Sequence, residues 1–211
     1  MVGRTGKAPS PVARLSSNVM FHGESLVAFL EIETDRLVLT ELQPNDEAAI
    51  FALFSNKSVI EYYDLEAFTA VEQARDLISM FRSRHDASAG IRWAIRLKSS
   101  GNIVGTCGFN SWSSRMRNAV IGYDLMPAFW GNGYASEAVR AIIQAAFTGK
   151  LSCGPLNRIQ ADTVPGNHAS EALLRRLGFK EEGIRRESGY WKNAFHDLKC
   201  FGLLRSEFNE T

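Results

Sequence analysis

The fold is decided by the stretch Met126-Pro-Ala-Phe-Trp-Gly-Asn-Gly-Tyr-Ala-Ser-Glu-Ala138. A strand predicted over residues 118–126 leads into a turn that holds Gly131 and Gly133. The turn opens directly into a helix predicted over residues 134–148. Its apolar residues recur at the spacing of one helical face: Ala135, Ala138, Val139, Ile142, Ile143, Ala146 and Phe147.

The glycine turn predicts a binding site for an anion. Glycine has no Cβ, so the main chain can come close to a ligand. The start of the helix also presents N–H groups without partners and the positive end of the helix dipole. Such a site suits phosphate or pyrophosphate. An ordinary strand–turn–helix corner without a ligand is the alternative interpretation.

Two common phosphate motifs do not fit the stretch. The Rossmann fingerprint requires a third glycine, where this chain has Ser136, and an acidic residue about 20 residues later. No aspartate or glutamate lies between Glu137 and Asp162. The Gly-Lys-Ser/Thr of a P-loop is also absent.

Length and composition predict one α/β domain, with or without a terminal arm, because the 211 residues are 45% hydrophobic and 22% charged. A formal net charge of +1 gives no reason to expect direct nucleic acid binding. Three widely spaced cysteines show no zinc-binding pattern and favour a reducing cytoplasm. No apolar run approaches the roughly 20 residues that span a membrane.

Residues 1–30 differ from the rest and are left out of the predicted fold. Three basic residues occur there with prolines and serines, and the first acidic residue is Glu24. The segment is interpreted as a disordered arm, a cloning remnant, or a start assigned too early, with Met20 as an alternative start. A basic, acid-poor transit peptide is a further interpretation.

From residue 33 onward, periodicity and turn residues predict alternating strands and helices. A helix at 69–84 is expected to begin with Thr69 as N-cap and Glu72 completing a capping box. Another helix is expected to end at Gly178, a C-cap position. The predicted strands are 36–42, 92–97, 103–112, 118–126, 158–164, 182–190 and 195–204, and the predicted helices are 46–54, 69–84, 134–148 and 167–177.

This order and the glycine turn resemble the GNAT N-acetyltransferases, whose pyrophosphate loop usually reads Gln/Arg-x-x-Gly-x-Gly/Ala. The resemblance covers about residues 33–208. Trp130 stands at the Gln/Arg position, as is common in the branch that acetylates ribosomal-protein N-termini. The matching pieces are Trp130-Gly-Asn-Gly133-Tyr-Ala135, Glu33-Thr-Asp-Arg-Leu37, Gly105-Thr-Cys-Gly-Phe109, Ile121-Gly-Tyr123, Asn167-x-x-Ser170 and Leu177-Gly-Phe179.

The resemblance implies an α/β (α+β) fold over residues 31–211: a central mixed, splayed sheet of about seven strands flanked by about four helices. It implies acetyl-CoA as cosubstrate and no metal, with the pantetheine arm in the gap between the strands at 118–126 and 158–164. Tyr134 either takes part in binding or only packs. The implied cofactor-binding residues are Leu125, Trp130, Gly131, Asn132, Gly133, Tyr134, Ala135, Asn167 and Ser170.

Two residues of the last helix are implied to act near the thioester. Asn167 would bind the pantetheine, although asparagine is also among the best N-caps. Ser170 would protonate or hydrogen-bond the leaving thiolate, because the tyrosine that many relatives use is missing from positions 174–177. A serine in the first helical turn is also common without any such role.

The general base is not identified by the resemblance. Many relatives carry a glutamate where this chain has Val120. Strand alternation places Val120, Gly122 and Asp124 on one face, so Asp124 is a candidate displaced base, or merely a solvated residue. Glu61 is a second candidate.

The resemblance implies a primary amine as acceptor, in particular the N-terminal α-amine of a protein or peptide. A small amine such as a polyamine, amino acid or antibiotic is an alternative, as is an acyl-CoA-binding module without turnover. No membrane partner is expected, and the chain is a monomer or a homodimer. Five aromatic residues either line an acceptor groove or belong to the core: Tyr62, Tyr63, Trp93, Trp112 and Trp191.

Overall fold

The computed structural model describes residues 13–15 and 28–209, and the strands of this part of the chain form one sheet. The strands are β1 (Ala13–Leu15), β2 (Leu30–Glu33), β3 (Leu37–Glu41), β4 (Ile91–Leu97), β5 (Ile103–Ser113), β6 (Asn118–Leu125), β7 (Arg158–Thr163), β8 (Lys180–Trp191) and β9 (Ala194–Leu204). Their order in the sheet is β1-β2-β3-β4-β5-β6-β7-β9-β8. All neighbours are antiparallel except β6 and β7, which are parallel.

The helices flank this sheet and are α1 (Glu47–Phe54), α2 (Lys57–Ile60), α3 (Val71–Asp86), α4 (Tyr134–Phe147) and α5 (His168–Arg176). The predicted architecture is therefore confirmed. The structure adds β1, β2 and the one-turn helix α2 to the elements predicted, because segments of three or four residues carry too little periodicity to be recognised. None of these helices is both long and apolar enough to cross a membrane.

Most of the predicted N-terminal arm, including Met20, lies outside the described residues. Within residues 1–30 the structure describes Ala13–Leu15 and residues 28–30. Ala13–Leu15 form β1, which pairs antiparallel with β2, Ala13 lying opposite Ile32. This part of the segment therefore extends the sheet by one edge strand.

The sheet separates two apolar cores. One core lies under α1 and α3 and includes Leu53, Ile78 and Phe81. The larger one lies under α4 and α5 and includes Ile142 and Leu174. Alternate residues of each strand point to opposite cores. On β6, Ala119, Ile121 and Leu125 belong to the larger core, with Tyr123 packed against it.

The start of α3 differs from the prediction. The N-cap is Ala70 rather than Thr69. Gln73, not Glu72, reaches back: its Oε1 accepts the N–H groups of Thr69 at 2.7 Å and Ala70 at 3.0 Å. An amide at the third helical position is as suitable for this reciprocal bond as a carboxylate.

The predicted hairpin of the last two strands is confirmed and is longer than expected. β8 and β9 are joined by Lys192 and Asn193, with φ of 51° and 58°. Two residues with positive φ form the tight turn whose twist matches that of the flanking strands. The hairpin therefore extends to Trp191, which brings this residue to the end of the sheet where the candidate site lies.

The three cysteines are free thiols. Burial raises the pKa of Cys107 to about 12 and that of Cys153 to about 11. Both thiols are therefore protonated at neutral pH and poor nucleophiles.

Candidate functional site

The candidate site is a gap in the sheet between β6 and β7. These strands pair only over three positions, from Asn118 opposite Arg158 to Val120 opposite Gln160. β6 then continues to Leu125 along β5, and β7 continues to Thr163 along β9. Residues 121–125 thus have a main-chain edge without a strand partner, where an extended ligand with amide groups can add as a strand.

The glycine loop lies beyond the open end of β6. Gly131 and Gly133 have φ of 76° and 78°, a left-handed conformation that glycine adopts without strain. A Cβ on Gly131 would meet nothing within 4 Å, so the loop is open on that side. Gly133 is the N-cap of α4 and provides no side-chain acceptor. The first N–H groups of α4 are therefore available to an anion.

Trp130 and Asn132 hold the loop against the end of β6. The indole N–H of Trp130 donates to the carbonyl of Leu125 at 2.7 Å, while 49% of the residue stays exposed. The Asn132 side-chain amide donates to the carbonyl of Trp130 at 3.0 Å. Three of the predicted binding residues thus form the hydrogen bonds that shape the loop: Leu125, Trp130 and Asn132.

Tyr134 has a packing role in this structure. Its ring meets that of Phe129 edge-on, with 6.4 Å between centroids, and lies 4.5 Å from the guanidinium carbon of Arg36. Ala135 packs against the larger core. A role in phosphate binding is therefore left to the N–H groups of these two residues, at the start of α4.

Asn167 and Ser170 lie together at the start of α5. Asn167 is the N-cap: its Oδ1 accepts the N–H of Ser170 at 3.2 Å. Both residues also line the cavity at the gap. The capping role is thus present in the structure, while contact of Asn167 with pantetheine stays a prediction.

Tyr123 is a site residue to which the sequence analysis gave no role. Its hydroxyl lies 2.7 Å from Oγ of Ser170, across the gap between β6 and α5. Burial raises the pKa of Tyr123 above its ordinary value, so the phenol is protonated at neutral pH. Strand alternation predicts this position: if Val120 and Gly122 share one face of β6, Tyr123 must point to the other face.

A cavity of about 270 Å³ lies beside Tyr123 and Ser170 in the gap between β6 and β7. Three of the five aromatic residues considered for an acceptor groove, Tyr62, Tyr63 and Trp191, line it. Trp93 is fully buried in the core, and the Trp112 indole donates instead to the carbonyl of Ser88. The cavity is also lined by Asp64, Asn110, Val120, Gly122, Tyr123, Asp162, Thr163, Asn167 and Ser170.

Thr163 is a polar residue that lines the cavity. The residue is 5% exposed, and its hydroxyl has no hydrogen-bond partner among the described residues. A buried hydroxyl without a partner is costly and is usually satisfied by water or ligand. Thr163 lies on β7 and lines the cavity, while its hydroxyl oxygen is enclosed by the protein.

Trp191 forms a wall of the cavity on the β8–β9 hairpin. Its ring stacks on that of His196 with 4.2 Å between centroids and 9° between planes. Glycine at position 189 leaves space for the Trp191 ring, because a Cβ there would lie 1.9 Å from it. Lys192 then donates to the carbonyl of Ile60 at 2.6 Å, which ties the hairpin to the segment carrying Tyr62.

Asp124 is not at the surface. It lies on the same face as Val120 and Gly122, as alternation predicts, but it is buried and forms an ion pair with Arg92. Its Oδ2 also accepts the hydroxyl of Thr106 at 3.1 Å. Burial raises the pKa of Asp124 above its ordinary value, although Arg92 and Thr106 act in the opposite direction. A carboxylate enclosed in this way is poorly placed to take a proton from an amine.

The other carboxylates differ in whether they reach the cavity and in whether they are already paired. Glu61 is exposed at the end of α2 and is not among the residues that line the cavity. Asp162 lines it but accepts a hydrogen bond from Arg185 at 2.5 Å. Asp64 lines it and is exposed. Val120, where the family resemblance predicts a glutamate, lines the cavity and cannot accept a proton.

Comparison with known proteins finds a matching family model and similar sequences. The model of the family described as acetyltransferase (GNAT) domain matches residues 36–180. An uncharacterized N-acetyltransferase of Bacillus subtilis (strain 168), YoaA, is 36% identical over 174 residues, which are 82% of this chain and 96% of YoaA.

Two solved structures share the fold. The ribosomal-protein α-N-acetyltransferase RimL in complex with coenzyme A superposes with a TM-score of 0.71 at 21% identity, covering 81% of this chain and 95% of that one. The microcin self-immunity acetyltransferase MccE, in complex with acetyl-CoA and AMP, gives 0.73 at 21%, covering 81% and 93%. At this identity the likeness concerns the fold alone.

The structural role of Asp124 can be tested by Asp124→Asn. The change leaves Arg92 buried without a counter-charge, and removing one partner of a buried pair costs about 3–5 kcal/mol in the free energy of unfolding. Asp162→Asn, which breaks an exposed pair at the same cavity, should cost under about 1 kcal/mol. Urea unfolding measures both; a loss below about 1 kcal/mol for Asp124→Asn would contradict this account.

Proposed function

The chain belongs to the GNAT acetyltransferase family, and on this premise we propose that it acetylates the α-amine at the N-terminus of a protein, as the ribosomal-protein branch does. Acetyl-CoA-dependent N-acetyl transfer follows from the family; the acceptor is the proposed part. The observation that carries it is the cavity wall beside Tyr123 and Ser170. There Val120 stands where the family resemblance predicts a carboxylate, and Asp124 is held by Arg92.

The residues of the gap fit acetyl-CoA as cosubstrate. The N–H groups between Gly131 and Ala135 would hold the pyrophosphate, since the glycines leave space and the helix start attracts an anion. The amide groups of the pantetheine arm would pair with the open edge of residues 121–125, as an added strand does.

Transfer needs an amine, a thioester and a way to stabilise the departing sulfur. The amine nitrogen bonds to the thioester carbon, the carbon–sulfur bond breaks, the amine loses a proton and the thiolate gains one. A thiol has an ordinary pKa near 8.5, so a hydrogen bond to the sulfur helps its departure. The Ser170 hydroxyl can supply that bond, and the Tyr123 hydroxyl at 2.7 Å orients it.

The missing carboxylate favours an acceptor that needs little help to lose its proton. An α-amine with a pKa near 8 is about one-tenth neutral at pH 7, whereas a lysine near 10.4 is neutral about once in two or three thousand molecules. A lysine acetyltransferase therefore gains far more from a base placed beside the amine. Val120 is compatible with the first acceptor and unfavourable for the second.

A small amine of low pKa is the second candidate. The same argument from Val120 applies to it, and a cavity walled by Tyr62, Tyr63 and Trp191 is of a size that encloses a small molecule. The fold relatives do not decide between the two, since RimL is named for a ribosomal protein and MccE for microcin immunity. The acceptor assay below distinguishes the two.

The loop assignment is tested by Gly133→Ala. A Cβ at φ 78° strains the loop and would lie 3.5 Å from Nη2 of Arg36, so the Kd for CoA should rise at least about tenfold, or roughly 1.4 kcal/mol. Gly154→Ala is the matched control, with φ of 75° and nothing within 4 Å of the new Cβ, outside the loop. Calorimetry that finds both affinities unchanged would remove the loop from the site.

The roles of Ser170 and Tyr123 are separated by steady-state kinetics. Ser170→Ala should lower kcat about tenfold or more with little change in the KM for acetyl-CoA, because the lost bond forms as the thiolate develops. Tyr123→Phe should lower kcat less, since Ser170 remains. Asn167→Ala should raise that KM if the amide binds pantetheine. A loss of about 1 kcal/mol in stability alone would leave Asn167 as a cap.

The acceptor is tested with two peptides of otherwise equal sequence. One has a free N-terminus and no lysine; the other has a blocked N-terminus and a single lysine. Thiol release from acetyl-CoA should be faster with the first at pH 7, for the reason of its pKa. Faster acetylation of the lysine peptide would refute the proposal. Turnover with small amines only would favour the second candidate, and turnover with none would indicate a binding module.

A further inference from the structure

We propose that Arg36 is a positioning residue for acetyl-CoA: together with Glu137 it holds the glycine loop in the shape that receives the pyrophosphate. The inference rests on the proposed use of the loop by acetyl-CoA. It gives a role to the motif Glu33-Thr-Asp-Arg-Leu37, which the chemistry of the cavity does not use. Residues 34–36 form the turn between β2 and β3, on the side of the sheet where α4 begins.

Glu137, in the first turn of α4, is the acceptor at the centre of this contact. Its Oε1 accepts the hydroxyl of Thr34 at 2.5 Å and the N–H of Arg36 at 2.9 Å. Its Oε2 accepts Nε of Arg36 at 2.7 Å. Three hydrogen bonds thus join the turn to a helix start more than a hundred residues further along the chain.

Arg36 also contacts the loop itself. Its Nη1 donates to the carbonyl of Asn132 at 3.0 Å, and its guanidinium lies over the ring of Tyr134. Asn132 stands between the two glycines with positive φ. Because a glycine turn has many accessible conformations, a fixed bond to its central carbonyl selects one of them.

The charges explain why the pair is needed at this place. The pKa of Glu137 is lowered, because the hydrogen bonds from Thr34 and Arg36 outweigh the opposite effect of burial. The carboxylate is therefore ionised, in the same helical turn that the pyrophosphate would approach. Without Arg36 this anion would oppose the phosphates; with Arg36 the pair is neutral and the helix start keeps its attraction for an anion.

The effect belongs to binding rather than to global stability. Arg36 is 47% exposed in its side chain, and exposed ion pairs contribute little to folding. Arg75 and Glu47 form a similar exposed pair, with Nε 2.9 Å from Oε2, and neither residue is in the glycine loop or lines the cavity. Arg75→Ala is therefore a matched control for Arg36→Ala.

The test compares acetyl-CoA with S-acetylpantetheine, which carries the same thioester but no pyrophosphate. Arg36→Ala should raise the KM for acetyl-CoA about tenfold with kcat within about twofold, and should leave kcat/KM for S-acetylpantetheine unchanged within about twofold. Arg75→Ala should change neither. Adding Glu137→Gln to Arg36→Ala should restore part of the affinity, because the unpaired anion is then removed.

An equal loss with both thioesters would overturn the inference, since it would indicate general damage to the site, and so would an unchanged KM for acetyl-CoA. If Arg36→Ala does not fold, Arg36→Lys, which keeps the charge but cannot bridge Glu137 and Asn132, should give the same pattern to a smaller degree. If the wild type transfers no acetyl group, the proposed function fails. Calorimetry then tests the role of Arg36: Arg36→Ala should weaken the binding of CoA and leave the binding of pantetheine unchanged.

Discussion

The short parallel ladder between β6 and β7 is the constraint on which the rest of this structure depends. Every other pair of neighbouring strands is antiparallel, and this ladder ends after three positions. Beyond Val120, main-chain groups that a continuous sheet would pair have no strand partner, although the Leu125 carbonyl accepts the Trp130 indole N–H. Unpaired groups of this kind are unfavourable when buried. The gap is thus both the weak point of the sheet and the place prepared for an extended, amide-bearing molecule. The glycine loop, the start of α4 and the start of α5 all meet at its open end.

The two faces of β6 divide the chemistry of the site. Tyr123 points towards α5 and meets Ser170, while Val120 and Gly122 line the cavity from the other face. On that second face Arg92 needs room, and glycine provides it: a Cβ on Gly122 would lie 3.0 Å from its Nη1. The buried Arg92–Asp124 pair therefore stiffens the cavity wall without offering a free base. Under the proposed function, a wall that cannot take the departing proton at Val120 favours amines of low pKa.

Much of this could be predicted from the sequence because it is local. The glycine turn before α4, the hairpin of β8 and β9, and the N-cap at Asn167 each follow from residues that are close in sequence. What could not be predicted depends on contacts between distant residues. Arg92 and Asp124 have opposite charges, but only the sheet register brings them together behind the cavity. The contacts of Arg36 with Glu137 and Asn132 are likewise created by the packing of the loop against the β2–β3 turn.

The most direct test of the central claim is an amide chemical-shift titration of the protein with CoA. The account predicts that the largest changes fall on two groups of N–H signals: those of residues 131–135 at the start of α4, and those of Ile121, Tyr123 and Leu125, whose N–H groups point away from β5 towards the gap. The N–H groups of the paired part, Asn118 to Val120, should change little because their bonds are already made. Large shifts confined to other surfaces, with both of these groups unmoved at saturating CoA, would contradict the account.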